Sequence, residues 1–177
     1  MQHCKGQTRP EGSVVIIADV APESIEALLG KYGLELCVQP AGEPITASFW
    51  GGEEAGILGH TVYVRGDTPI HSLLHEACHI ICMTEDRRQH VERDAGGDDL
   101  EETAVCYLQL VLADQIDGAG RERLMRDMDA WGYSFRLGDT RSWFERDAED
   151  ARKWLIDEGL LTADGEATFR LRAGHIV

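Results

Sequence analysis

The sequence predicts one α+β domain in which a small twisted β-sheet packs against helices. The chain has 177 residues. β-rich segments fill its first third, whereas helical patterns follow residue 68. Strands followed by helices are typical of α+β folds rather than of doubly wound parallel sheets. A chain of this length buries a core without disulfides or a structural metal. No repeat or long linker divides it, so residues 1–177 are expected to form one domain.

The first elements are predicted from short apolar runs that proline and glycine separate. Residues 13–18 have the composition of a buried strand. Residues 22–31 are predicted to form an amphipathic helix, because their apolar side chains recur on one face. Further strands are predicted over residues 34–38, 45–50 and 60–65. The last of these alternates apolar and polar residues, as a half-buried strand does.

The remainder of the chain is predicted to be helical. Thr68 is a favourable N-cap and Pro69 a favourable first helical residue, so a helix is expected from this point to about residue 83. The other predicted helices cover residues 100–115, 121–131 and 141–158.

Composition excludes several classes of partner. The chain has 17 Lys and Arg against 32 Asp and Glu, a formal charge of −15. This balance disfavours nucleic acid and anionic membranes, which bind through Lys and Arg. The longest apolar stretch, residues 103–113, is far shorter than the roughly 18 to 20 residues of a membrane-spanning helix. The polar start of the chain has no signal-peptide pattern, and the five cysteines include no CxxC pair, so a reducing cytoplasm is expected.

The segment His75-Glu76-Ala77-Cys78-His79 lies inside the best-defined predicted helix and has the HExxH spacing. Residues four apart share one helix face, so both imidazoles can bind one Zn²⁺ at about 2.0–2.1 Å each. Glu76 projects beside the metal, where its carboxylate can accept a proton from metal-bound water. The motif therefore predicts a zinc site with His75 and His79 as ligands and Glu76 as general base.

A catalytic zinc needs a third protein ligand and an open fourth position. The HExxHxxGxxH pattern is excluded, because Cys82 and Glu85 stand where it requires Gly and His. Asp94, Asp98 and Asp99 are alternatives, but they lie in a Gly-rich polar segment where solvated loop carboxylates are usual.

Two adjacent glutamates on the next predicted helix are the remaining candidates. Glu101 begins an apolar stripe that is expected to face the first helix. Glu102 lies on a less apolar face, and it would complete a capping box if Asp99 is the N-cap. Glu101 is therefore the predicted ligand. The preference weakens if Asp98 is the cap, because the capping role then passes to Glu101.

The HExxH segment followed by Glu101-Glu102-Thr103-Ala104 resembles the HExxH…ExxA arrangement of gluzincin-type zinc metallopeptidases. The preceding strand, the Asp67-Thr68-Pro69 turn and the lead-in His71-Ser72-Leu73-Leu74 resemble small zincins of the ImmA/IrrE type. The likeness covers about residues 60–115. It implies a zincin-like fold and hydrolysis of a protein or peptide substrate. It also implies zinc on His75, His79 and Glu101, with Glu76 as base.

The sequence departs from this pattern at Val105, where members of the family often have Asp or Asn. Ligand orientation must then come from another group. Oxyanion stabilisation remains open among four residues: Tyr107, Tyr133, His90 and His175. His71 is expected to be an exposed histidine near the helix start. The alternative function is a non-catalytic zinc module, which a fourth protein ligand such as Cys82 would favour.

Overall fold

The computed structural model describes residues 14–91 and 95–173, and the sheet lies in the first half of the chain. A 3₁₀ turn, Ile17–Asp19, precedes helix α1, Pro22–Lys31. Three strands follow, which are β1 (Glu35–Gln39), β2 (Gly56–Leu58) and β3 (Thr61–Arg65).

Strand β3 lies in the centre of this sheet, in the order β1-β3-β2. It pairs in parallel with β1 and antiparallel with β2. Val62 and Val64 are fully buried, whereas the residues beside them are partly exposed. The alternation that the sequence predicts for β3 is therefore confirmed, and one face of the sheet packs on the helices.

The second half is helical. Its helices are α2 (Ile70–Cys82), α3 (Glu85–His90), α4 (Asp99–Ala113), α5 (Arg121–Trp131), α6 (Thr140–Arg146) and α7 (Glu149–Asp157). The described residues thus form an α+β fold with a small mixed sheet, as the sequence predicts. Among the described helices, none combines the length and the hydrophobicity that crossing a membrane requires.

Helix α2 lies at the centre of the core, and all of its residues are buried. It packs most extensively against α4 and also contacts α5, β2 and β3. Two arginines bind the carbonyls at its C-terminal end. Arg88 donates to the carbonyls of Ile80 and Met83, and Arg172 binds those of Ile81 and Cys82. The two guanidinium groups and the Arg172 amide satisfy carbonyls that have no partner within the helix.

Two predicted strands are wrong. Within the described part of residues 13–18, the chain forms only an isolated bridge between Ile16 and Pro69 before it enters the 3₁₀ turn. Residues 45–50 likewise contribute only the bridge from Ser48 to Gly56. Ala47 has a φ of 56°, which interrupts the extended conformation.

Two helix predictions also need correction, and two short elements were not predicted. Thr68 does not cap α2, because its hydroxyl accepts a hydrogen bond from the Arg65 amide and closes the turn after β3. The predicted helix over residues 141–158 is two helices, which are separated at Asp147 and Ala148. Helix α3 and strand β2 are absent from the sequence prediction, and both are short.

Candidate metal centre

Three side chains from two helices converge at one point between α2 and α4. His75 and His79 come from α2, and Glu102 comes from the first turns of α4. The two Nε2 atoms lie 3.1 Å apart. The Glu102 carboxylate oxygens lie 3.1 Å from Nε2 of His75 and 3.2 Å from Nε2 of His79. We call these three residues the donor group.

The separations within the donor group match the size of a tetrahedral metal site. Donors around a tetrahedral zinc lie about 3.3 Å apart, given Zn–N bonds of about 2.0–2.1 Å. Among the described residues, no further His, Cys, Asp or Glu belongs to the group. The Glu102 side chain is 28% exposed, compared with 5% for His75. Solvent therefore reaches the group from the glutamate side.

Gln109, two turns after Glu102 on α4, fixes the orientation of the first imidazole. Its Oε1 lies 2.8 Å from Nδ1 of His75. Its Nε2 donates to the backbone carbonyl of His71 at 3.3 Å, which sets the orientation of the amide. Since an amide oxygen can only accept, Nδ1 of His75 carries the proton. The Nε2 lone pair of the neutral ring then points into the donor group, as a metal ligand requires.

The surroundings of His75 favour positive charge. Burial lowers the pKa of His75, but the Glu102 carboxylate, 3.1 Å from Nε2, outweighs it and raises the pKa above the usual value of 6.5. A buried imidazole next to a carboxylate attracts either a proton or a cation. Because a metal displaces the proton from its ligands, the same electrostatic environment also favours a divalent ion.

Glu76 lies on the same helix, one residue after His75, and is 8% exposed. It is outside the donor group. The two histidines and the adjacent carboxylate are therefore held on one rigid, fully buried helix. A carboxylate that stands beside a metal without ligating it is available for proton transfer.

The structure does not bring Glu101 to the histidines, and its predicted orientation towards them is wrong. Its carboxylate binds Arg87 at 2.8 Å and Arg172 at 3.3 Å. Asp98 is the N-cap of α4, and its side chain accepts from the Glu101 amide at 2.8 Å. This cap is one of the two alternatives that the sequence leaves open. With Asp98 as the N-cap, α4 is rotated so that Glu102 faces α2.

The aspartates that were alternative ligands do not join the donor group. Asp98 caps α4, and Asp99 is exposed in its first turn. Asp94 lies outside the described residues. Cys82 is also outside the group, and burial raises the pKa of its thiol well above 9.0.

Of the oxyanion candidates in the described residues, Tyr133 packs against His75 of the donor group. Its ring centroid is 6.1 Å from that of His75, and its hydroxyl lies 3.3 Å from Nδ1 of His71. Burial raises the pKa of Tyr133, so its phenol remains a hydrogen-bond donor. Tyr107 stacks on Phe144 instead. His90 is on the surface, and His175 lies outside the described residues.

His71 is fully buried, so the prediction of an exposed helix-end histidine is wrong. Its ring packs against Trp131 and Tyr133. Gln109 was not among the predicted site residues. Its position in the sequence could have identified it. Glu102, Cys106 and Gln109 are spaced i, i+4 and i+7, so they form a polar stripe on one face of the helix. That stripe faces the histidine stripe of α2.

Comparisons of this chain with protein-family models, curated proteins and solved structures return no match. Its function is therefore inferred from the chemistry of the donor group and its surroundings.

Proposed function

We propose that this protein is a zinc-dependent peptidase that hydrolyses peptide bonds with Glu76 as general base. The observation that carries the proposal is the convergence of His75, His79 and Glu102 beside an HExxH glutamate. Two imidazoles and one carboxylate with near-equal separations suit tetrahedral Zn²⁺, whereas Mg²⁺ and Ca²⁺ prefer oxygen ligands.

A catalytic role is favoured over a structural one by the number and exposure of the donors. Structural zinc is normally closed by four protein ligands, whereas catalytic zinc has three and an open position. The donor group has three members within the described residues, and its Glu102 side reaches solvent. A folded core of this size also does not require a metal.

Each residue around the donor group then has a defined task. His75 and His79 would hold the ion from α2, and Glu102 would hold it from α4. The bound ion would supply Lewis acidity, which activates water and polarises the substrate carbonyl. Glu76 would accept the proton of the attacking water and pass it to the leaving amine. Gln109 keeps the proton of His75 on Nδ1.

Two further properties belong to the same proposal. The side-by-side packing of α2 and α4 supports a zincin-like arrangement, with Glu102 in place of Glu101 as the ligand from the second helix. No disulfide joins the four cysteines of the described residues, which agrees with a reducing cytoplasm as the site of action.

The proposal is tested by comparing the wild-type chain with Glu76→Gln. Both are purified without chelators, and zinc content and cleavage of a fluorogenic peptide library are measured. The variant should retain zinc and lose about 100-fold or more of its activity, the scale of general-base catalysis. Glu166→Gln, on the exposed surface, is the matched control and should be fully active.

Wild-type protein without zinc, or activity that survives Glu76→Gln, would contradict the proposal. Zinc binding without any cleavage across the library would favour the non-catalytic zinc module instead.

A further inference from the structure

A second feature of the surface is an open groove of about 400 Å³ beside the first turn of α4. Its walls come from α4, from residues 134–136 and from α6 and α7. None of the three donor residues lines it. The groove is therefore separate from the donor group, although it shares helix α4 with it.

The base of the groove is apolar and rigid. Trp143 is 4% exposed. Its ring stacks on Phe135 with centroids 4.4 Å apart and an angle of 16° between the planes. Leu100 adds an aliphatic side chain that is 40% exposed. Such a surface suits the methylene part of a long side chain, which gains by removing apolar area from water.

The rim of the groove is acidic. Asp147 is already neutralised, because it binds Arg136 with Nε and Oδ2 2.9 Å apart. Asp99 and Asp150 stand exposed in the first turns of α4 and α7, and neither has an ion pair within the described residues. Arg136 is the cation of the same lining and interacts with both Asp147 and Asp150, so three carboxylates against one guanidinium leave the groove negatively charged. That charge beside an apolar base is complementary to a cationic side chain with an aliphatic stem.

Residues that line the groove are sequence neighbours of residues at the donor group. Thr103, which lines the groove, directly follows Glu102, and Ser134 directly follows Tyr133. Consecutive Cα atoms are about 3.8 Å apart, and an extended peptide spans about 3.3–3.6 Å per residue. The donor group and the groove therefore border the same turn of α4, and a peptide that followed the surface between them would be a few residues long.

We propose that this groove binds a Lys or Arg side chain of the peptide substrate, a few residues from the bond that is cleaved. The base would hold the aliphatic stem, and Asp99 and Asp150 would hold the charge. The inference rests on the proposed peptidase function for its substrate class. The preference of the groove itself is a binding property and is measured without cleavage.

The test uses zinc-loaded full-length Glu76→Gln protein and two labelled peptides that differ only in Lys against Glu at one position. Fluorescence anisotropy should show tighter binding of the Lys peptide. Adding Asp99→Asn and Asp150→Asn should weaken that binding about three- to tenfold, the scale of two exposed charge pairs. The effect should shrink at about 0.5 M salt, where exposed charges are screened.

The matched control adds Glu23→Gln and Glu26→Gln on the exposed face of α1, which removes the same charge. Helix α1 lies near the C-terminal end of α4, where Ser24 binds the Gln115 carbonyl and the Asp117 amide. This control should leave affinity for the Lys peptide unchanged.

Equal binding of the two peptides, or equal loss in both charge variants, would overturn the groove assignment even if the wild-type protein is a peptidase. An Asp99- and Asp150-dependent preference for Lys in a protein that neither holds zinc nor cleaves peptides would support the groove. That result would reject the peptidase function alone.

Discussion

Gln109 and His75 form a buried hydrogen bond between the two helices of the donor group. The Nδ1–H group of His75 donates to the amide oxygen over 2.8 Å, and both side chains are buried. The contact crosses from α2 to α4, so it fixes both the tautomer of the imidazole and the alignment of the two ligand-bearing helices. In the proposed zinc site, Gln109 would orient His75 in the absence of an acidic residue at Val105.

Replacing Gln109 with leucine should weaken zinc binding by about 10- to 100-fold, as loss of an outer-shell partner does. Competition with a chromophoric chelator measures the change. Gln109→Glu keeps an acceptor for Nδ1 and should restore much of the affinity. Gln115→Leu makes the same replacement on the exposed surface and should have no effect. Unchanged affinity in folded Gln109→Leu protein would contradict this role.

The two adjacent glutamates of α4 should respond in opposite ways to amidation. Glu102→Gln should weaken zinc binding by more than about 100-fold, the upper range for an outer-shell partner. Glu101→Gln should retain zinc but lose about 2 to 3 kcal/mol of unfolding free energy, because Arg87 and Arg172 lose a buried partner. Zinc stoichiometry and urea unfolding of both variants separate the two effects. If only Glu101→Gln lost zinc, Glu101 and not Glu102 would be the ligand.

Arg88 should be important for stability although it is outside the donor group. The side chain is 2% exposed and donates to the carbonyls of Ile80, Met83 and Arg172. Arg88→Met leaves these acceptors without a partner and should cost about 3 kcal/mol. That loss corresponds to a Tm lower by about 6–12 °C. Calorimetry measures it, with exposed Arg126→Met as the control.

The N-cap of α6 should make a pH-dependent contribution to stability. The Ser142 amide and hydroxyl both donate to the Asp139 carboxylate at 2.8 Å, and these bonds lower the pKa of Asp139 below 3.8. The stabilisation is therefore complete above 3.8, the unfolded value, and is lost as pH falls through the folded value.

Asp139→Ala should consequently be less stable than wild type at about pH 7, with a difference that narrows at about pH 3. Urea unfolding at several pH values measures this. Asparagine can still cap the helix, so Asp139→Asn should lose less unfolding free energy at neutral pH than Asp139→Ala. A deficit that is independent of pH would contradict the assignment.

The sequence predicts α2 and the convergence of its two histidines well because the spacing of the motif is a property of one helix. Local geometry places residues 75 and 79 on one face whatever the rest of the chain does. Strand β3 was predictable for the same reason, since its alternation has a period of two.

The choice between Glu101 and Glu102 needed information that helical periodicity lacks. Residues 104–113 of α4 are all buried, so the helix has no single apolar face with which to identify the side that contacts α2. The rotation of α4 depends on Asp98 as N-cap and on Arg87 and Arg172, which bind Glu101. These partners are 14 and 71 residues away from Glu101. Contacts at such separations are set by tertiary structure and have no local signature.

The contact of Arg172 with both helices has a consequence for the order in which the protein is made. Its amide binds the carbonyl of Ile81, and its side chain binds Glu101, the neighbour of Glu102. A chain still emerging from the ribosome would have both histidines long before it has this arginine. The rotation of α4 that turns Glu102 towards the histidines would thus be fixed only once the segment around Arg172, 71 residues after Glu101, has docked.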